Sequence, residues 1–165
     1  NIVPWQILSD EIGFKIEVVE LLSDGSLDMS QFRDKMALSP DLVCFTHVSN
    51  TLGTINDVKN LTSLAKAAGA IVLIDGAQSA PHIKVDLLDI GCDFYVASGH
   101  KMYGPTGIGF LYGKLDLLES MPPWKGGGEM ISSVSFEERT TFNVPPYQFE
   151  AGTPHISGAI AFGAA

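Results

Sequence analysis

Residues 70–75 read Ala-Ile-Val-Leu-Ile-Asp, an unbroken apolar run closed by a carboxylate. A strand with one wet face alternates apolar and polar side chains. A run that does not alternate is covered on both faces, as in parallel sheets packed between helices. Residues 42–48 and 93–97 have the same character, and helix-like stretches separate the three runs. Strands that alternate with helices build βαβ units. The expected fold is therefore α/β, with a mostly parallel sheet flanked by helices.

Local signals fill in the rest. Helices are predicted over residues 2–12, with Pro4 in the first turn where its missing N–H does no harm, over 27–38, and from Asp57, as cap, to about 68, with Gly69 as the stop. Residues 85–89 read as a short helical turn and 115–120 as a helix. β-branched alternation predicts a strand over 14–22, and a further strand is expected over 107–112. Residues 121–154 are rich in Gly and Pro and read as irregular. From residue 156 an apolar helix opens, and the chain starts at Asn1 without Met. Residues 1–165 are thus expected to be part of a larger domain, with segments of the parent protein lying on both sides.

Charge and composition narrow the partners. The net charge of −9 speaks against nucleic acid and anionic membranes, which attract basic patches. No apolar run approaches the ~20 residues that span a bilayer, and no signal peptide is visible. Cys44 and Cys92 both fall in predicted buried strands, so they are expected to be core residues with free thiols in a reducing, cytoplasmic setting.

Two stretches carry chemistry. Ser98-Gly99-His100-Lys101 follows an apolar strand and is backed by Gly104, Gly107 and Gly109. Ser98 and His100 can donate hydrogen bonds to phosphate oxygens, and the Lys101 amine can form a Schiff base with a carbonyl. Read alone, the stretch is equally a polar turn with one solvated lysine. Asp75 stands at the carboxyl end of its predicted strand, where open α/β sheets place ligands. A carboxylate there can pair with a protonated ring nitrogen and keep it charged. A Schiff-base lysine with an aspartate for a pyridinium nitrogen is the pyridoxal 5'-phosphate (PLP) arrangement.

With these residues in place, the chain resembles class V aminotransferase-type PLP enzymes of fold type I, and most of all the cysteine desulfurase/selenocysteine lyase family in its SufS-like branch. The matching stretches are Asn1-Ile-Val-Pro-Trp-Gln6, His47-Val-Ser-Asn-Thr-Leu-Gly-Thr54, Asp75-Gly-Ala-Gln78, Ser98-Gly-His-Lys101 with Tyr103-Gly-Pro-Thr-Gly-Ile-Gly109, Met121-Pro-Pro-Trp124 with Gly126-Gly-Gly-Glu-Met-Ile131, and Phe149-Glu-Ala-Gly-Thr-Pro154. They occur in family order along the whole chain.

The resemblance implies the large domain of fold type I and a set of roles. Lys101 is the Schiff-base lysine and later moves protons at the substrate α-carbon. Asp75 holds the pyridine nitrogen, Ala77 lies against the ring, and Gln78 bonds its phenolic oxygen. Ser98 and His100 bind the phosphate, and Asn50 contacts cofactor and substrate carboxylate. Thr153 reaches the phosphate of the other subunit's cofactor, which implies a homodimer. Gln148 and His155 stand where the family usually has Arg and Asn. His47 and Ser49 are expected to be structural, and Lys114 and Lys125 solvated.

The implied reaction takes L-cysteine, or L-selenocysteine, to alanine and leaves a persulfide on an enzyme cysteine. That cysteine is placed by resemblance on a later segment than this chain contains. An acceptor protein would then take the sulfur toward iron–sulfur cluster assembly. The rival readings are another class V enzyme (aminotransferase, kynureninase or epimerase) and a non-catalytic scaffold that keeps the fold.

Overall fold

The computed structural model describes residues 2–165; Asn1, the first residue of the opening motif, lies outside the described residues. Two helices lead: α1, Val3–Ile12, and α2, Met29–Met36. Then come β1, Leu42–Thr46, α3, Val58–Ala67, and β2, Ile71–Asp75. They are followed by α4, Leu87–Ile90, β3, Phe94–Ser98, and β4, Gly109–Gly113. The chain ends with α5, Leu115–Ser120, the short strands β5, Ile131–Ser133, and β6, Thr141–Phe142, and α6, Ile156–Ala164.

The main sheet has the order β1-β2-β3-β4. β1, β2 and β3 are parallel, and β4 closes antiparallel onto β3, with Tyr95 opposite Tyr112. The sheet is mixed and mostly parallel, as the unbroken apolar runs require. Val72 and Ile74 of β2 and Tyr95 of β3 are buried. Beside them lie Val58, Leu61 and Ala65, spaced on one face of α3, and Phe32 of α2. The helix starts follow from capping. Asp28, Asp57 and Asp86 accept hydrogen bonds from the first backbone N–H groups of α2, α3 and α4. Gly69, at φ +87°, turns the chain from α3 into β2 in a conformation that favours glycine.

Three expectations are corrected. Residues 14–22 form no strand beyond a single bridge from Leu21 to Leu27. The Glu20 N–H is taken by the Gln31 side chain of α2 and Lys35 pairs with Glu17, so this segment lies along α2 rather than in a sheet. Cys44 is exposed on β1, an edge strand of this sheet, whereas Cys92 is buried just before β3. Lys114 is not simply solvated, because it is drawn onto Asp93. The irregular region after residue 121 contains the small β5-β6 pair, whose register slips between Ile131 and Ser133.

Asp93 is 1% exposed. Its carboxylate accepts from Lys66 Nζ of α3 at 2.8 Å, from Lys114 Nζ beyond β4 at 2.9 Å, and from the Val72 N–H of β2 at 2.8 Å. Burial pushes its acidity toward the neutral form. The two ammonium groups and the N–H outweigh that and hold the carboxyl below its usual range. Asp93→Ala removes the charge on which two lysines and a backbone N–H converge. A loss of about 3 kcal/mol is expected from the urea midpoint at neutral pH. Because the folded value is depressed, this contribution is complete above the ordinary carboxyl value of about 4 and fades as pH falls through the lower folded value. The gap between wild type and Asp93→Ala should therefore narrow in acid.

Candidate active site

Asp75 ends β2 in register with Val96 of β3, and Ser98 ends β3 opposite Gly109 of β4. Asp75, Ala77, Val96, Ala97 and Ser98 line a cleft of about 220 Å³ at the carboxyl edge of the strands. Parallel strands present their C-terminal ends together, so residues distant in sequence meet there.

The turn after β2 is held tightly. The Ala77 N–H donates to Asp75 Oδ1 at 3.0 Å, and the Gly76 N–H donates to the Val96 carbonyl at 2.8 Å. Gly76 lies directly against the buried Tyr95 ring: a Cβ there would sit 2.0 Å from the nearest ring carbon. Any larger residue would drive this turn away from β3.

The turn after β3 is equally constrained. Ser98 leads into one turn of 3₁₀ helix, Gly99–Lys101, which brings Lys101 half-buried and His100 exposed to the same end of the sheet. The Gly99 N–H donates to the Ile108 carbonyl and its carbonyl accepts from the Gly104 N–H. A Cβ on Gly109 would stand 2.5 Å from the Ala97 carbonyl oxygen. The glycines are therefore read best as close-packing requirements of a folded-back loop.

A third loop adds Asn50, whose side-chain oxygen accepts from the Gln78 amide. This joins the loop after β1 to the turn after β2. His47 and Ser49 are structural. His47 is buried beside Tyr95, where desolvation holds its imidazole below the usual range. Ser49 Oγ accepts from the Leu52 N–H.

Thr153 is set apart from the cleft. It is exposed, on the loop before α6, and is not among the cleft-lining residues. Gly127 braces this loop, since a Cβ there would lie 2.9 Å from the Gly152 nitrogen, and the Gly152 N–H donates to the Gly128 carbonyl. Gln148 donates to the Leu118 and Met121 carbonyls. The His155 ring packs over Gly158.

Of the residues singled out from the sequence, Asp75, Ala77 and Ser98 line the cleft, while Asn50, Gln78, His100 and Lys101 stand on the loops around it; the groups beneath the turn were missed. Tyr95, Ser79 and Gly76 form a buried group beneath the turn: Tyr95 Oη lies 2.5 Å from Ser79 Oγ and 3.3 Å from His47 Nδ1. The available signal was a tyrosine inside an apolar strand, because a buried phenol needs a polar partner.

The donor set suits an anionic aromatic aldehyde. It offers a carboxylate for a cationic ring nitrogen, a methyl-sized surface at Ala77, an amide at Gln78, and hydroxyl, imidazole and ammonium groups after β3.

Known proteins resemble this chain along its whole length. The family model described as aminotransferase class-V matches residues 1–165. A cysteine desulfurase of Serratia proteamaculans is 52% identical over all of this chain, which covers 41% of that protein. One from Pectobacterium atrosepticum is 53% identical, again over the whole chain and 40% of the relative. The crystal structure of a cysteine desulfurase from Escherichia coli superposes with a TM-score of 0.94 at 39% identity, over 99% of this chain and 41% of that one. The cysteine desulfurase of Thermococcus onnurineus gives 0.92 at 42% identity, over 98% and 40%. The chain thus spans about two fifths of the length of these relatives.

Gly76→Ala is expected to cost about 2 kcal/mol or more in the urea midpoint, because the Tyr95 ring beneath it is fully packed. Gly126→Ala, where an added Cβ meets nothing, should stay within about 0.5 kcal/mol of wild type.

Proposed function

We propose that this chain, which belongs to the class-V aminotransferase family, is the cofactor-binding part of a cysteine desulfurase. Enzymes of this family depend on PLP. The observation that carries the reading is the carboxylate of Asp75 at the end of β2 beside the strand that leads into Lys101. It occurs in a chain about half identical, along its whole length, to cysteine desulfurases.

The residues fit the cofactor. Asp75 would hold the ring nitrogen, Ala77 the ring face, Gln78 the ring oxygen, and Ser98 and His100 the phosphate, with Lys101 as the point of covalent attachment. Asn50, through Gln78, would border the substrate side. When bound, PLP supplies an electron sink for negative charge at the substrate α-carbon. Asp75 keeps the ring nitrogen protonated by its charge, and Lys101 Nζ takes and returns the proton at the α-carbon. The proposed substrate is L-cysteine, with L-selenocysteine as the analogue of the same shape. The products are alanine and a persulfide passed to an acceptor protein for iron–sulfur cluster assembly.

The thiol that accepts the sulfur is placed outside these residues. Desolvation raises the thiol of buried Cys92 above its usual range, so it is not a ready thiolate. Exposed Thr153, held away from its own cleft, supports a homodimer in which it reaches the partner's cofactor phosphate. Two free thiols suit a reducing compartment, which we take to be the cytoplasm. Among the described residues no helix is long and apolar enough to cross a membrane.

The test is to load the protein with PLP, reduce with borohydride and map the peptides. The pyridoxyl mass is expected on the peptide containing Lys101, and Lys101→Ala should lose both the visible absorbance band and the adduct. An adduct on another lysine, or a folded protein that binds no PLP, overturns the reading. With the sulfur-accepting thiol expected outside these residues, the chain alone is expected to release no alanine from L-cysteine above the rate of free PLP.

A further inference from the structure

We propose that Tyr95 is a positioning residue for Asp75, acting through a one-way hydrogen-bond chain that runs from His47 through Tyr95 and Ser79 into the Gly76–Ala77 peptide and ends on the Asp75 carboxylate. The inference rests on the PLP reading for its purpose; the chain itself stands on geometry.

Its direction follows from counting protons. Ser79 Oγ lies 3.1 Å from the Gly76 carbonyl oxygen, which can only accept, so the single serine proton points there. Toward Tyr95 Oη, 2.5 Å away, Ser79 must therefore accept, and the phenol donates. With its own proton spent, Tyr95 Oη is left to accept from His47 Nδ1, 3.3 Å away, in the tautomer that the proposal assigns to His47. The reverse direction would leave two oxygens facing each other without a proton at the Gly76 carbonyl. All three groups are buried: His47 is 6% exposed, Tyr95 1% and Ser79 0%. Such bonds are strong and polarise one another there.

The far end of the chain meets the site. The Gly76 carbonyl, which also accepts from the Ala80 N–H at 2.9 Å, belongs to the same peptide unit as the Ala77 N–H. Protons converging on its oxygen polarise that unit and make the N–H a stronger donor. That N–H donates to Asp75 Oδ1. One carboxylate oxygen is thereby fixed, and with it the plane in which Asp75 faces the cleft. Tyr95 serves twice: its ring fills the space left by the missing Gly76 side chain, and its hydroxyl orders the peptide above. His47 donates through Nδ1 whether its ring is neutral or charged, so the chain keeps its direction in both states.

The test uses Tyr95→Phe, which keeps the ring and removes only the hydroxyl, and Ser79→Ala, which cuts the chain one step later. In the cofactor-free protein the Ala77 amide proton should move upfield in both variants. In the PLP-loaded protein both should weaken cofactor binding about three- to tenfold, the size of one lost supporting hydrogen bond. Both should also shift the pH titration of the visible band in the same sense as Asp75→Asn. Added to Asp75→Asn, Tyr95→Phe should change binding less than twofold further, because the end point of the chain is already altered. An unmoved Ala77 amide, or effects that simply add to those of Asp75→Asn, would overturn the proposal. If wild type carries no adduct on Lys101, the PLP reading fails, while the Ala77 amide still decides on the chain. Should Tyr95→Phe fold poorly, Ser79→Ala carries the same decision.

Discussion

The buried carboxylate of Asp93 ties three elements of the structure to the start of a fourth. It stands at the entry to β3, takes the β2 backbone at Val72, and draws in lysines from α3 and from the end of β4. The attraction survives burial because both ammonium groups keep part of their hydration, so the desolvation penalty falls mainly on one side of the pair. This clamp lies at the opposite end of β2 and β3 from the cleft. It fixes where those strands begin, and the cleft depends on where they end. A slip of one residue in β3 would exchange its two faces and turn Ser98 away from Asp75.

The cleft end obeys a second constraint, steric in origin. Tyr95 fills the space under Gly76, so the turn carrying Asp75, Ala77 and Gln78 has one position available. Gly99 and Gly109 play the matching part for the turn that carries His100 and Lys101. Reactive groups thus stand on backbone that the sheet beneath them already determines, an arrangement that lowers the ordering cost when a ligand binds.

Much of this was legible in the amino-acid sequence, for identifiable reasons. Unbroken apolar runs announce strands set between helices, and Asp57 with Gly69 brackets α3, so β1 to β3 and α3 were readable within a few residues. Residues 14–22 misled because alternation records a half-buried surface, and an extended segment lying along α2 is half-buried too. Cys44 misled because it points to the face of the sheet that it shares with Ile71 and Leu73, which these residues leave partly uncovered, and which face is covered is a property of the assembled sheet. At the site, Asp75, Ser98, His100 and Lys101 were visible as chemistry at strand ends. Tyr95 and Ser79 were not, because their role lies in a proton direction that exists only once three buried groups meet. Thr153 stays on an exposed loop apart from the cleft, a separation visible only once the chain is folded.

The way the cleft is assembled has a further consequence. Its groups come from the ends of three strands and from loops spanning Asn50 to Lys101, brought together only by the finished parallel register. No local piece of chain can hold the ligand, so its affinity belongs to the native state alone. By mass action such a ligand adds about 2.7 kcal/mol to folding at a free concentration one hundred times its dissociation constant. Supply of such a ligand would then bear on how much of this chain stays folded as well as on how much of it is loaded.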